Sequence, residues 1–301
     1  MDLISSKDLS AAQIKRLFQL SDSLKDRPKR PLSKMGPILS LLFEKSSTRT
    51  RVSFESAMLQ LGGNSIYLDT RTSQMARGET IADTARVLSA YVDIIAARMD
   101  RQKDLEELAK YSSVPVINAL TDLEHPCQAL SDVYTMKQVF GKVEGLHIAF
   151  VGDIATNTAN SLMITAAKMG ADVSLIGPDG CKPNMHYVNE AIKNSSLVEI
   201  SNDLEDGLQG CDVIYTDTFV SMGEEGEAAR RRKMFSKYQV NSRILKYAKR
   251  DAKVMHCLPA HRGEEITSDV LDGKQSIVWQ QAANKMLVEK AILLYLLNKE
   301  E

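Results

Sequence analysis

Hydrophobic and polar positions along this chain switch period repeatedly. Short β-branched and aliphatic runs are followed by longer stretches whose apolar positions recur every three to four residues. The short runs predict strands at 38–43, 65–68, 94–97, 114–118, 147–151, 172–176, 198–200, 213–216, 254–257 and 277–279. The longer stretches predict helices at 51–61, 81–91, 128–140, 159–168, 185–193 and 285–298, and the first twenty residues share the helical period. Strand–helix alternation at this spacing implies an α/β fold of parallel sheets flanked by helices. Several of the strands are apolar at nearly every position, as expected where both faces of a sheet are covered.

A break falls near 128–140, where a helix leaves the first group of strands and GKVEG (141–145) leads into a new one. The 301 residues suffice for two domains with separate cores, here divided as 1–133 and 134–284. The last helix, 285–301, has no strand after it and is expected to pack back on the first domain. In open parallel sheets ligands gather beyond the carboxyl ends of the strands. The loops after strands are therefore where chemistry should be sought.

Composition narrows the function classes. A net charge of -1 gives no global field favouring nucleic acid or an acidic membrane. The basic runs KDRPKR (25–30) and RRRK (230–233) are short and read as solvated surface. No apolar run reaches the ~20 residues of a membrane helix, and the acidic, helically periodic N-terminus is unlike a secretory signal, so a cytoplasmic protein is expected. The four cysteines, Cys127, Cys181, Cys211 and Cys257, form no CxxC pair. Neither a disulfide framework nor a zinc site follows, although His256, Cys257 and His261 are close enough in sequence to be considered as ligands. No metal and no cofactor is expected.

After the strand at 38–43 come Glu44-Lys45-Ser46-Ser47-Thr48-Arg49-Thr50-Arg51 and then a helix. Hydroxyls, guanidiniums and the unpaired N–H groups of a helix N-terminus collect there, a donor set suited to phosphate. Arginine adds a planar fork that lysine cannot copy. The GxxxxGK[ST] pattern of a P-loop is absent.

The STRTR string resembles the carbamoyl-phosphate motif of the aspartate/ornithine carbamoyltransferase family. Arg98, after the strand at 94–97, matches a family arginine that reaches carbamoyl phosphate, and His125-Pro126-Cys127-Gln128 resembles the family's HPCQ motif. ARGETIADTARVL (76–88) resembles the segment after the family's mobile loop, with Gln74 matching a glutamine that enters a neighbouring subunit's site. The resemblance implies two domains with the active site in the cleft between them, and an oligomer built on trimers. It also implies acyl transfer, in which an amine attacks the carbamoyl carbon, an oxyanion develops and phosphate leaves. Donors should then surround the carbonyl oxygen and the phosphate. His125, Arg98 and Thr50 fit the carbonyl oxygen, Gln128 the carbamoyl NH2, and Ser47, Thr48 and Arg49 the phosphate.

In the second half, Phe150–Asn157 (FVGDIATN) lacks GxGxxG, so a dinucleotide reading is weak. The family places an asparagine here toward the acceptor's α-carboxylate. Asn157 matches it, with Asn160 a less certain neighbour and a helix cap the ordinary alternative. DTFVSMG (217–223) resembles the ornithine-branch DxxxSMG motif, in which Asp217 and Ser221 hold the α-amine and Met222 lines the pocket. HCLPAHRG (256–263) resembles that branch's HCLP region, with Cys257 beside the reacting amine and Cys257 and Leu258 near the carbamoyl group. One departure stands out: where the family reads ENR, this chain reads Ala283-Asn284-Lys285, keeping charge without the fork. Lys285 is retained as a carbamoyl-phosphate candidate.

The implied substrates are thus carbamoyl phosphate and L-ornithine. The nucleophile must be a neutral amine, yet an alkylammonium of pKa ~10.4 is only about one part in a thousand neutral at pH 7, a deficit of about 4 kcal/mol. Cys257 and a desolvated pocket are candidates for offsetting it. Rival readings are a sister enzyme acting on putrescine or N-acetylornithine, a non-catalytic homologue, and, from the fold alone, a nicotinamide-dependent oxidoreductase.

Overall fold

The structure, a computed structural model, describes residues 1–25, 36–194, 197–220 and 225–297. It divides into two compact units, Met1–Tyr134 with Asn284–Glu301, and Thr135–Ala283. In the first unit the order is α1 (Ala11–Lys25), β1 (Ile38–Phe43), α2 (Thr48–Gln60), β2 (Asn64–Asp69), α3 (Ile81–Ser89), β3 (Ile94–Arg98), α4 (Gln102–Tyr111), β4 (Val116–Leu120) and α5 (Pro126–Phe140), whose last turns belong to the second unit. The strands form a parallel sheet ordered β2-β1-β3-β4. β3 is buried at every position, and Leu42, Ile95, Ala97 and Val116 pack with Leu105 and Leu108 of α4 into one core cluster.

β4 lies two residues beyond the predicted 114–118. Pro115 has no N–H to donate to a ladder. Pairing instead begins at Val116, where Leu3 donates to the Val116 carbonyl (2.9 Å) and accepts from Asn118 N–H (2.7 Å), covering the sheet's outer edge. Between β3 and β4 the register slips after Ala97, so that Arg98 faces Leu120. Such an irregularity bends a strand and re-aims its side chain.

The second unit holds β5 (His147–Val151), α6 (Asn157–Lys168), β6 (Asp172–Ile176), α7 (Met185–Ile192), β7 (Val198–Ser201), α8 (Leu204–Leu208), β8 (Val213–Thr216), α9 (Ala228–Phe235), β9 (Lys253–His256) and α10 (Ser268–Leu271). α11 (Val278–Leu296) then returns the chain to the first unit. The sheet is parallel, ordered β7-β6-β5-β8-β9. Phe150 and Tyr215 stack in its core with ring centroids 5.4 Å apart. At the end of β5, Gly152 has φ +115, and an added Cβ would lie 2.9 Å from the Phe219 ring, so glycine is required twice over.

The strand expected at 277–279 does not form. Ile277 N–H donates to the Val254 carbonyl (3.0 Å) and Val254 N–H to that of Gln275 (2.9 Å), a lone bridge after which Val278 begins α11. Three apolar residues are too few to separate a strand from the first turn of a buried helix. The run that follows, through Leu296, decides for helix, which therefore starts seven residues before the predicted 285.

In both sheets consecutive connections change direction at one point. In the first it lies between β1 and β3, and in the second between β5 and β8. Within each sheet the loops after those two strands diverge, and such a point is where open α/β sheets bind ligands.

Candidate active site

In the first unit, the loop after β1 turns into α2 at Ser47, whose extended backbone and side-chain oxygen cap the helix by accepting from Thr50 N–H (3.4 Å). Thr48 and Arg49 stand exposed in the first turn, whereas Thr50 is buried. The two arginines of the motif separate. Arg51 pairs with Glu55 (2.9 Å) and lies 3.9 Å over the Tyr67 ring, a structural role, while Arg49 faces outward.

Arg98 ends β3 with its side chain buried and its Nε without a hydrogen-bond partner. Burial, and then the nearby charge of Arg49, pull its pKa down to about 10, so it remains charged at neutral pH. Two guanidiniums repelling one another around an unsatisfied buried donor form a site short of negative charge.

His125 and its neighbours follow β4. Glu124 fixes that loop by accepting from Ser5 Oγ (2.5 Å) and Ser6 N–H (3.1 Å), and its own N–H donates to Thr121 Oγ1 (3.2 Å). Pro126 opens α5, where its missing N–H costs nothing. Burial, Lys285 and Arg98 together push the His125 imidazole well below its ordinary pKa, leaving it neutral at pH 7. The Cys127 thiol points to the Asn118 carbonyl (3.4 Å), and burial raises its pKa, so this side chain is part of the packing.

Gln128 donates through Nε2 to Asp132 Oδ1 (2.8 Å) and accepts at Oε1 from Lys285 Nζ (3.1 Å). That network assigns the orientation of the amide and leaves an oxygen suited to an NH2 group. Lys285 also reaches Thr50 Oγ1 (3.3 Å), which ties α11 to the first turn of α2. The first unit thus gathers Thr50, Arg98, His125, Gln128 and Lys285, with Ser47, Thr48 and Arg49 at the adjoining helix end. Gln74 is not part of this set. It lies exposed in the turn after β2, where its carbonyl accepts from Glu79 N–H (3.2 Å).

In the second unit, Thr156 caps α6 by accepting from Ala159 N–H (3.2 Å), so the capping task falls to Thr156 and Asn157 occupies the first helical position. Asn160 is buried one turn on. Asp217 follows β8 and accepts from its neighbour Thr218 N–H (2.8 Å) and from the Cys257 thiol (2.9 Å). Two candidates separated by forty residues of sequence are therefore in direct contact. Ser221 and Met222 lie outside the described residues.

The backbone of Leu258 is left-handed (φ 59), and the Leu258–Pro259 bond is cis. Leu258 N–H donates to His256 Nδ1 (2.8 Å), and His256 Nε2 meets Glu265 Oε1 (3.1 Å). Since Nδ1 accepts, Nε2 carries the hydrogen. Donor atoms of Asp217, His256 and Cys257 lie within 4.8 Å of one another, as do those of His261, Glu264 and Glu265. A metal in the first group would have to displace the Leu258 N–H or the Glu265 carboxylate from a ring that already uses both nitrogens.

Two family models cover nearly the whole chain. Residues 1–138 match the carbamoyl-P binding domain of aspartate/ornithine carbamoyltransferase, and residues 144–296 match its Asp/Orn binding domain. The chain belongs to the aspartate/ornithine carbamoyltransferase family. Among curated relatives, the ornithine carbamoyltransferase of Bacillus subtilis is 46% identical over 304 residues, covering 100% of this chain and 95% of that protein. The anabolic enzyme of Pyrococcus furiosus is 47% identical over 301 residues, covering 97% and 95%. A solved structure of the ornithine carbamoyltransferase from Pyrococcus furiosus superimposes with a TM-score of 0.92 over 97% of this chain and 96% of that one, at 46% identity. The anabolic ornithine carbamoyltransferase of Campylobacter jejuni gives 0.92 at 36% identity, covering 99% of each.

Sequence reasoning missed several residues of this carbamoyltransferase. Asp132 and Glu289 lie fully buried behind Gln128 and Lys285. The i,i+4 spacing of 128/132 and 285/289 was the available signal, but that spacing is equally common on solvated helix faces. Part of the RRRK run is also not solvated surface: Arg231 is largely buried and paired with Asp153. Helical geometry turns successive side chains by ~100°, so one of several consecutive basic residues can face inward. The described part of the other basic run, Lys25, is exposed, and residues 26–30 lie outside the described residues.

Proposed function

We propose that this chain is an ornithine carbamoyltransferase, moving the carbamoyl group of carbamoyl phosphate to the side-chain amine of L-ornithine to give L-citrulline and phosphate. The supporting observation is the charge-deficient cluster of the first unit. Arg49 and Arg98 stand together, Lys285 and the buried Thr50 adjoin them, and a neutral histidine lies beside both Arg98 and Lys285. A phosphate dianion would satisfy Arg98 Nε and the α2 N-terminus. His125, held neutral, would donate to the carbamoyl oxygen without losing a proton, and Gln128 Oε1 would accept from the carbamoyl NH2. In the transfer the neutral amine's lone pair forms the new N–C bond, the C–O bond to phosphate breaks, and the proton lost from nitrogen ends on the departing phosphate as hydrogen phosphate.

Asp217 supports ornithine as the acceptor. A carboxylate here favours a cationic amine end and repels a dicarboxylic acceptor, while Asn157, relieved of capping by Thr156, is suited to an α-carboxylate. The thiol on Asp217 would exchange for an ammonium donor when substrate binds. The same reading makes the protein a cytoplasmic enzyme of arginine biosynthesis. It also makes it a homotrimer, or a multiple of one, in which the exposed Gln74 serves a neighbouring copy.

The test is carbamoylation of ornithine, putrescine, N-acetylornithine and aspartate side by side, without added metal or nucleotide. Ornithine should exceed each of the others by at least about a hundredfold in kcat/KM, the scale expected when a charged or hydrogen-bonding partner is left unmatched. Equal use of putrescine or N-acetylornithine would overturn the assignment.

A further inference from the structure

Arg231 lies in a run of basic residues on α9, yet its surroundings differ from those of its neighbours. Arg230 reaches Glu227 and Arg232 pairs with Glu264 at 2.8 Å, both with more than half of the side chain exposed. Arg231 turns the other way, with 13% of its side chain exposed. Its Nε donates to the carbonyl of Phe219 (2.7 Å) and its Nη2 to Asp153 Oδ2. Its guanidinium carbon lies 5.3 Å from the centroid of the Phe235 ring, which itself stacks on Phe219 at 5.3 Å.

The two groups that Arg231 joins belong to different loops. Phe219 is two residues past Asp217 in the loop after β8, and Asp153 is four residues before Asn157 in the loop after β5. These loops diverge at the direction change of the second sheet. Asp153 is held in turn, accepting at Oδ1 from Ala155 N–H (3.1 Å) and from the Cys181 thiol (3.1 Å). The Phe219 ring closes against Gly152. A planar guanidinium with donors on two edges is well suited to fix the separation of two backbone segments.

We propose that Arg231 is a positioning residue that sets the distance between Asp217 and Asn157, and so how well the acceptor site matches an α-amine and an α-carboxylate carried on one carbon. The proposal rests on the acceptor reading given above, in which those two residues hold the amine and carboxylate ends. A salt bridge that only stabilised α9 would change yield and Tm but would leave the preference among acceptors unmoved.

The experiment compares wild type with Arg231→Met, Arg231→Lys and Asp153→Asn. Each is assayed with ornithine, with putrescine, which lacks the α-carboxylate, and with N-acetylornithine, which lacks the free α-amine. In Arg231→Met the ornithine KM should rise about tenfold or more, and the preference for ornithine over the other two should fall by a similar factor, the usual result of sub-ångström misplacement. Arg231→Lys should recover part of the preference. Carbamoyl-phosphate affinity, titrated on the free protein, should stay within about twofold, since Arg231, Asp153 and Phe219 all lie in the second unit. If Arg231→Met cannot be isolated folded, Asp153→Asn removes the same ion pair while keeping shape. An unchanged acceptor preference in the folded variants, whatever their Tm, would overturn the proposal. A wild-type protein inactive on all three acceptors would instead overturn the acceptor reading beneath it.

Discussion

Glu289 offers the sharpest physical test of the first unit. It lies one turn beyond Lys285 on α11, fully buried, and neither carboxylate oxygen has a well-formed hydrogen bond. Burial raises its pKa from 4.5 to about 8, and the opposing influences of Lys285 and Ser53 do not compensate. At pH 7 the folded protein therefore keeps this carboxyl mostly protonated, whereas the unfolded chain releases the proton near pH 4.5. The folded state binds more protons throughout that window, so stability falls as pH rises, by about 1.4 kcal/mol per pH unit. Between about pH 5.5 and 7.5 the loss should be on the order of 3 kcal/mol from this residue alone. Glu289→Gln keeps the shape and removes the titration. The assay is urea unfolding of both proteins at a series of pH values, taking the difference of the two stability curves so that other groups cancel. The difference should grow with pH in favour of the amide variant and level off above about pH 8. Parallel curves would refute the reasoning and mean that Glu289 is already ionised, matched by a charge the local geometry does not reveal.

Other outcomes follow from the same geometry. Asp217→Asn should raise the ornithine KM by about 10- to 100-fold, the worth of a charge-assisted hydrogen bond, with carbamoyl-phosphate binding intact by equilibrium titration. Lys285→Met should weaken carbamoyl-phosphate affinity by at least about tenfold, since it removes a buried cation that braces Thr50 and Gln128. Equal affinity would place that contact outside the site. Cys257→Ala should depress kcat most at the acidic end of a pH profile run from about 6 to 9, where the substrate amine is hardest to deprotonate. An unchanged profile would remove the thiol from the chemistry. Because His125 is held neutral, kcat/KM should show no ionisation of its own near pH ~6.5. An acidic limb there that disappears in His125→Gln would contradict that assignment.

Much of the fold could be read from the chain because its strands are short apolar runs with clear ends. The strands at 38–43, 147–151, 172–176 and 213–216 have the boundaries that hydrophobic period alone predicts. The candidate residues were legible for a related reason: Ser47, Arg98, His125, Asn157 and Asp217 follow predicted strands and Cys257 ends one, where a buried sheet would otherwise place few polar groups. What stayed hidden depends on rotation about helices and on partners distant in sequence. Nothing local separates Arg231 from Arg230, and Glu289 reads as an ordinary i,i+4 companion of a surface lysine. The contact between Cys257 and Asp217 arises because β8 and β9 are neighbours in the sheet, which is topology rather than composition. Ile277–Trp279 misled because so short a segment carries no period.

Each parallel sheet changes direction once, and the loops that part there carry Ser47, Thr48, Arg49 and Arg98 in the first unit and Asn157 and Asp217 in the second. On the proposed reading, phosphate recognition and acceptor choice then lie on separate stretches of polypeptide. A lineage could rewrite the residues after β5 and β8 to admit a new amine while inheriting the carbamoyl-handling loops unchanged. Laboratory redesign can follow the same division, with libraries confined to those two short segments and the scaffold left alone.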